Sequence, residues 1–69
     1  MIKDLILKNN VKKIRTSKKI SQEELAKLTG TTRQTIIAIE KGIFNPSAKL
    51  ACLITIALEC KFEEAFYIE

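Results

Sequence analysis

The stretch SQEELAKLTGTTRQTIIAIEKG, from Ser21 to Gly42, decides how the rest of the chain must fold. The Ser21 hydroxyl is placed to accept from the backbone N–H of Glu24, and the Glu24 carboxylate to reach back to the N–H of Ser21. That reciprocal capping box opens a helix. Glu23 and Glu24 also put negative charge where the helix dipole favours it. Leu25, Ala26 and Leu28 give the helix a packing face, and the small Ala26 lets another helix approach closely. It ends at Thr29, because Gly30 stands where a chain leaving a helix needs positive φ. Thr32 is the predicted N-cap of a following helix, Arg33 to Glu40. There Ile36 and Ile39 share the core face, leaving Arg33, Gln34, Ile37 and Ala38 on or near the other side.

Outward from this pair, the remaining segments read as its support. Asn9 and Asn10 are N-cap residues, and Val11, Ile14 and Lys18 follow at helical spacing, predicting a first helix from about Asn10 to Lys18. Gly42 terminates the third helix, and Phe44-Asn45-Pro46-Ser47 makes a turn into a fourth, Ala48 to Leu58. The fourth helix is apolar over most of its circumference, so it needs cover on more than one side, including a second subunit. A last short helix runs from Phe62 to about Phe66. The β-prone ends, Leu5 to Lys8 and Tyr67 to Glu69, are expected to pair. The expected fold is an all-α five-helix bundle forming one domain over residues 1–69, with a short terminal β element.

A chain of 69 residues buries only about 60% of the surface its unfolded form exposes. Chains this small are commonly reinforced by a disulfide, a metal or self-association. With no His, a metal site is not expected. Cys52 and Cys60, if both lie along one helix, stand roughly 12 Å apart, beyond the roughly 7 Å Cα limit of a disulfide. They are expected to be reduced core thiols, which leaves self-association. The longest mostly apolar run, Leu50 to Leu58, is far shorter than the roughly 20 residues that cross a bilayer. No secretory leader opens the chain, so a soluble, cytoplasmic protein is expected. No base stands beside Ser21 or either Cys to make a nucleophile, so the chain is not expected to be an enzyme. Neither a cofactor nor a small-molecule ligand is expected. Charge is uneven: residues 1–41 carry ten Lys and Arg against four acids, whereas residues 42–69 carry two against four. The first part suits a polyanion. The pairs Lys12-Lys13 and Lys18-Lys19 read as a solvated, generally favourable face.

Two helices joined by a short Gly-containing turn make a helix-turn-helix, whose second helix enters the DNA major groove. The run SQEELAKLTGTTRQTIIAIEKGIFNPS, preceded by Ile14-Arg15, resembles the phage-repressor family of Cro-like and Xre-like proteins over about Asn10 to Phe66. The resemblance implies a lambda-repressor-like five-helix fold that binds double-stranded DNA as a two-fold homodimer. It implies that Gln22 contacts a phosphate at the start of the first helix of the motif, and Thr32 a phosphate or thymine methyl at the start of the second. Arg33 and Gln34 match the base-reading pair, to which Thr35 is adjoined. An Arg bonds guanine O6 and N7, and a Gln bonds adenine N6 and N7. Ala38 matches another base-facing position, while Ile37 either meets a thymine methyl or flanks the core. Lys41, Gly42 and Asn45 match a loop that follows the DNA backbone. Arg15 and Glu40 match an ion pair tying the first helix to the end of the third.

The chain departs from the family at Ala48 and Ala65, where larger aliphatics are usual, at Glu59, where Gly often closes the fourth helix, and at Lys61, where Ser or Asp often caps. The fourth-to-fifth junction is therefore expected to differ. Leu53, Ile56, Phe62, Phe66 and Tyr67 are the expected dimer face. The function expected is a dimeric transcriptional repressor on a pseudo-palindromic operator. Its rivals are the antitoxin of a toxin–antitoxin pair, against which stands the lack of a long disordered tail, and a protein-interaction adaptor that has lost DNA binding.

Overall fold

Side chains that cap helices place the central elements. The computed structural model describes residues 1–69. In it, helix α2 (Gln22–Thr29) starts at Ser21, whose hydroxyl accepts from the N–H of Glu24 at 3.0 Å while the Glu24 carboxylate accepts from the N–H of Ser21 at 3.0 Å. Helix α3 (Arg33–Glu40) starts at Thr32, whose hydroxyl accepts from the N–H of Thr35 at 3.2 Å. Helix α4 (Ala48–Leu58) starts at Ser47 in the same way, through the N–H of Leu50 at 3.1 Å. Each cap satisfies a backbone donor that the helix itself leaves free. Between α2 and α3, Gly30 takes φ 73°, and nothing lies within 4 Å of where its Cβ would stand. The left-handed backbone, not crowding, is what calls for glycine there.

Helix α1 (Val11–Ser17) begins one residue later than the sequence predicts and ends one earlier. Asn10 makes no side-chain cap; the Asn9 amide oxygen accepts from the N–H of Val11 at 3.1 Å instead. At the other end Lys19 turns out of the helix at φ 58°. Helix α5 (Phe62–Ala65) is also shorter than expected, because Phe66 already belongs to a strand, β2 (Phe66–Ile68). Its partner β1 (Leu7–Asn9) lies two residues further along than the Leu5 start expected, and residues 2–4 form a 3-10 turn. The strands pair antiparallel, Leu7 with Ile68, Lys8 with Tyr67 and Asn9 with Phe66, and Ile6 and Glu69 exchange backbone hydrogen bonds at 2.8 and 2.9 Å beyond them.

The core consists of Val11, Leu25, Ala26, Ile36, Ile39, Ala51, Ile54, Leu58, Ala65 and Phe66. Helix α2 packs on both α3 and α4, and α1 reaches the same two helices. Several expectations about burial need correcting. Leu28 is 64% exposed, while Thr29 is buried with its hydroxyl donating to the carbonyls of Leu25 and Ala26. That local bond hides the polar atom and lets Thr29 face inward. Phe66, expected on a dimer face, is a core residue, its ring 5.3 Å from that of Phe62. Cys52 is exposed and Cys60 half-buried, so neither is a core thiol. Burial and the Glu64 carboxylate, with Lys18 opposing, push the Cys60 thiol up, which makes it a poor nucleophile.

The junction after α4 turns on the two residues singled out in the sequence, Glu59 and Lys61. Glu59 adopts the left-handed conformation itself, at φ 52° and ψ 46°, and Lys18 donates to its carbonyl at 3.3 Å. At Lys61, which has no capping side chain, the Glu64 carboxylate accepts from the backbone N–H at 2.9 Å.

Candidate nucleic-acid interface

Helix α3 is fixed from beneath and open above. Ile36 and Ile39 are fully buried, and at about 100° per residue the opposite side falls to Gln34 and Lys41, flanked by Arg33, Ile37 and Ala38. Arg33, Gln34 and Lys41 are exposed, whereas Thr35, Ile37 and Ala38 are half-buried. Arg33 and Gln34 thus stand free at the first turn with donors available, and Ile37 and Ala38 form a low apolar floor between them and Lys41. Thr32 is exposed, but its hydroxyl is engaged in the cap and lies 3.0 Å from that of Thr35.

Gln22 is not a freely solvated residue. It is half-buried, and its Nε2 donates to Glu40 Oε1 at 3.0 Å. The same carboxylate accepts from Arg15 Nε at 2.6 Å and Nη2 at 3.2 Å, while Arg15 Nη1 donates to the carbonyl of Ile20 at 2.8 Å. The side chains of Arg15 and Glu40 are 9% and 3% exposed. The pair joins α1 to the end of α3 as the resemblance implied, but the third member was missed. Gln22 and Glu40 lie on different helices, and no local pattern connects them. An open cleft lined by Arg15, Ser21, Gln22, Glu23 and Arg33, with no apolar residue, lies between the starts of α2 and α3.

The loop after α3 is shaped by backbone bonds. Gly42 takes φ 77°, and the carbonyl of Ala38 accepts from the N–H groups of Ile43 at 2.9 Å and Phe44 at 3.3 Å. Lys41 and Asn45 are exposed on either side of Ile43 and Phe44, themselves 77% and 48% exposed. That apolar pair was not singled out from the sequence; two large apolar residues inside a Gly-to-Pro turn were the signal available. No three metal-ligating side chains converge anywhere in the chain, and no helix is long and apolar enough to cross a membrane.

Comparison with known proteins agrees with this geometry. The family model described as helix-turn-helix, HTH_3, matches residues 11–64. A helix-turn-helix-type transcriptional regulator of Bacillus subtilis, YgzD, is 46% identical over 63 residues, which cover 91% of this chain and 96% of that protein. Another of this type, from Methanocaldococcus jannaschii, is 48% identical with the same coverage of both. The crystal structure of the restriction-modification controller protein C.AhdI from Aeromonas hydrophila matches with a TM-score of 0.76 at 33% identity, over 80% of this chain and 83% of that one. The chain belongs to the Cro- and Xre-like helix-turn-helix family of DNA-binding transcriptional regulators.

Proposed function

We propose that the protein is a homodimeric repressor that acts in the cytoplasm by occupying a pseudo-palindromic operator, its 69 residues working as one domain. The observation that carries this reading is the open outer side of α3: Arg33 and Gln34 stand exposed on a helix anchored by the fully buried Ile36 and Ile39. In this reading Arg33 and Gln34 bond base edges, and Thr35, Ile37 and Ala38 meet the groove beside them. Gln22, Thr32, Lys41 and Asn45 meet the DNA backbone, which fixes register without carrying sequence information. Each subunit supplies one reading helix, and the dimer sets the two about 34 Å apart. Support for self-association comes from Ile56, Phe62 and Tyr67, which are 71%, 47% and 37% exposed, with Leu53 half-buried near them in sequence.

The test is a titration of operator-length duplex DNA at several salt concentrations. Affinity is expected to fall steeply as salt rises, because bound Lys and Arg displace counterions. Binding that ignores salt, or none at all, would refute the reading. Arg33→Ala should then weaken binding to the selected site by about 1–3 kcal/mol while leaving binding to random duplex unchanged. An equal loss on both would make Arg33 a backbone contact.

A further inference from the structure

We propose that Glu40 is a positioning residue for DNA binding: it holds Gln22 in the orientation in which Gln22 meets the DNA backbone. This inference rests on the DNA-binding reading above and adds to it a residue that itself touches no DNA.

The geometry behind it is a chain of three side chains from three helices. Arg15 of α1, buried and bonded through Nε and Nη2, fixes the Glu40 carboxylate at the end of α3. Glu40 Oε1 then accepts from Gln22 Nε2 at the first residue of α2. Turning the Gln22 amide over would set its oxygen against a carboxylate, so Nε2 is the end that faces Glu40. One Nε2 hydrogen is engaged there, and the other remains for a ligand.

Gln22 also lines the polar cleft with Arg15 and Arg33, so two cationic residues border the same opening as Gln22. Glu23 lines it as well and opposes an anion, which makes the placement of the remaining donors matter more. The occupant that fits is a backbone phosphate of the DNA: it is anionic and accepts from several donors at once. A glutamine free to rotate would lose conformational entropy on making such a contact. A glutamine already held by a charged acceptor has lost it on folding, so more of the contact appears as affinity. The bond to Glu40 thus turns an ordinary surface amide into a pre-set donor.

The experiment is a double-mutant cycle in DNA binding. Gln22→Ala alone is expected to weaken binding about tenfold, on operator and random duplex alike, as loss of a backbone contact should. Arg15→Met with Glu40→Leu replaces the buried pair by apolar groups, a change such sites tolerate, and frees Gln22. In that background Gln22→Ala should cost about threefold or less. A tenfold cost in both backgrounds overturns the positioning role while leaving the DNA reading intact. Absence of salt-dependent binding by the unaltered protein sinks the DNA reading instead. A second measurement needs no variant, which guards against a double mutant that fails to fold. Side-chain NMR relaxation of the Gln22 amide in the DNA-free protein should give an order parameter near the rigid-backbone value of about 0.85. A value below about 0.6 means that the amide rotates freely and overturns the proposal.

Discussion

Glu59 is the residue at which the chain meets a conformational demand with the wrong side chain. It closes α4 in the left-handed region, where a Cβ costs about 1–2 kcal/mol. The bond donated by Lys18 Nζ uses only the backbone carbonyl of Glu59, so it survives any substitution at residue 59. Glu59→Gly should therefore stabilise the fold. Glycine's greater freedom in the unfolded chain offsets part of the gain, leaving about 0.5–1 kcal/mol, or roughly 2–8 °C in Tm, by thermal melting. An unchanged or lower Tm would show that the left-handed cap carries no strain. Glu24 offers a test by pH. The N–H of Ser21, then its hydroxyl and Lys27, hold the Glu24 carboxyl below the usual carboxylate range. Its folded pKa lies below its unfolded one, so its contribution is complete above the unfolded pKa and disappears as pH falls through the folded value. The Tm advantage of the native protein over Glu24→Ala should be constant from pH 8 to about 5 and narrow below about pH 4. A difference that stays the same into strong acid would mean that the carboxylate charge adds nothing to the cap.

At the scale of elements, Asn9 is the link between the terminal ribbon and the reading helix. It sits on β1, its amide oxygen accepts from Val11 at the start of α1, and its Nδ2 donates to the carbonyl of Ile39 in the last turn of α3 at 2.9 Å. Asn9→Asp keeps the acceptor for Val11 but loses the donor, and it sets a negative charge against the carbonyl end of a helix. The expected cost is about 1–2 kcal/mol in chemical denaturation. Amide exchange is expected to rise at the C-terminal turn of α3 and not at α1; faster exchange at α1 instead would place the role of Asn9 in the cap alone. Neither this link nor the ribbon register was legible in the sequence, because both join residues far apart in the chain. The helices were legible where their signals are local: Ser21 with Glu24, Thr32 and the Gly30 turn all act within four residues. Phe66 shows the boundary between the two cases. Continued as a helix it would be an outer residue, but pairing with Asn9 makes it a strand residue whose ring enters the core. The candidate DNA-facing side of α3 followed from the spacing of Ile36 and Ile39, whereas the tie of Gln22 to Glu40 depended on packing between α2 and α3.

Over the whole molecule, charge divides unevenly between the two parts of the chain, positive over residues 1–41 and negative over residues 42–69. The reading helix lies in the part with the surplus of Lys and Arg, while Glu59, Glu63, Glu64 and Glu69 accompany the exposed Ile56, Phe62 and Tyr67, with only Lys49 and Lys61 among them. Helix α4 packs on α5 and α5 on β2, so these apolar residues belong to connected elements. In a two-fold dimer each patch meets its own copy, which brings acids of one subunit toward those of the other. Salt should therefore act in opposite directions on the two proposed interactions. It screens repulsion between the acids and tightens the dimer, while it weakens DNA binding by counterion competition. Ile56→Glu adds a like charge where apolar surface is meant to close. Because Ile56 is 71% exposed in the single chain, Tm at low protein concentration should move little. In sedimentation at micromolar concentration the variant should be a monomer where the native protein is a dimer, and its affinity should drop for a full palindrome but not for a half-site. A variant that still sediments as a dimer would remove Ile56 from the interface. A native protein that is itself a monomer, with or without salt, would leave the palindrome to be bound by two independent chains and would end the dimer proposal.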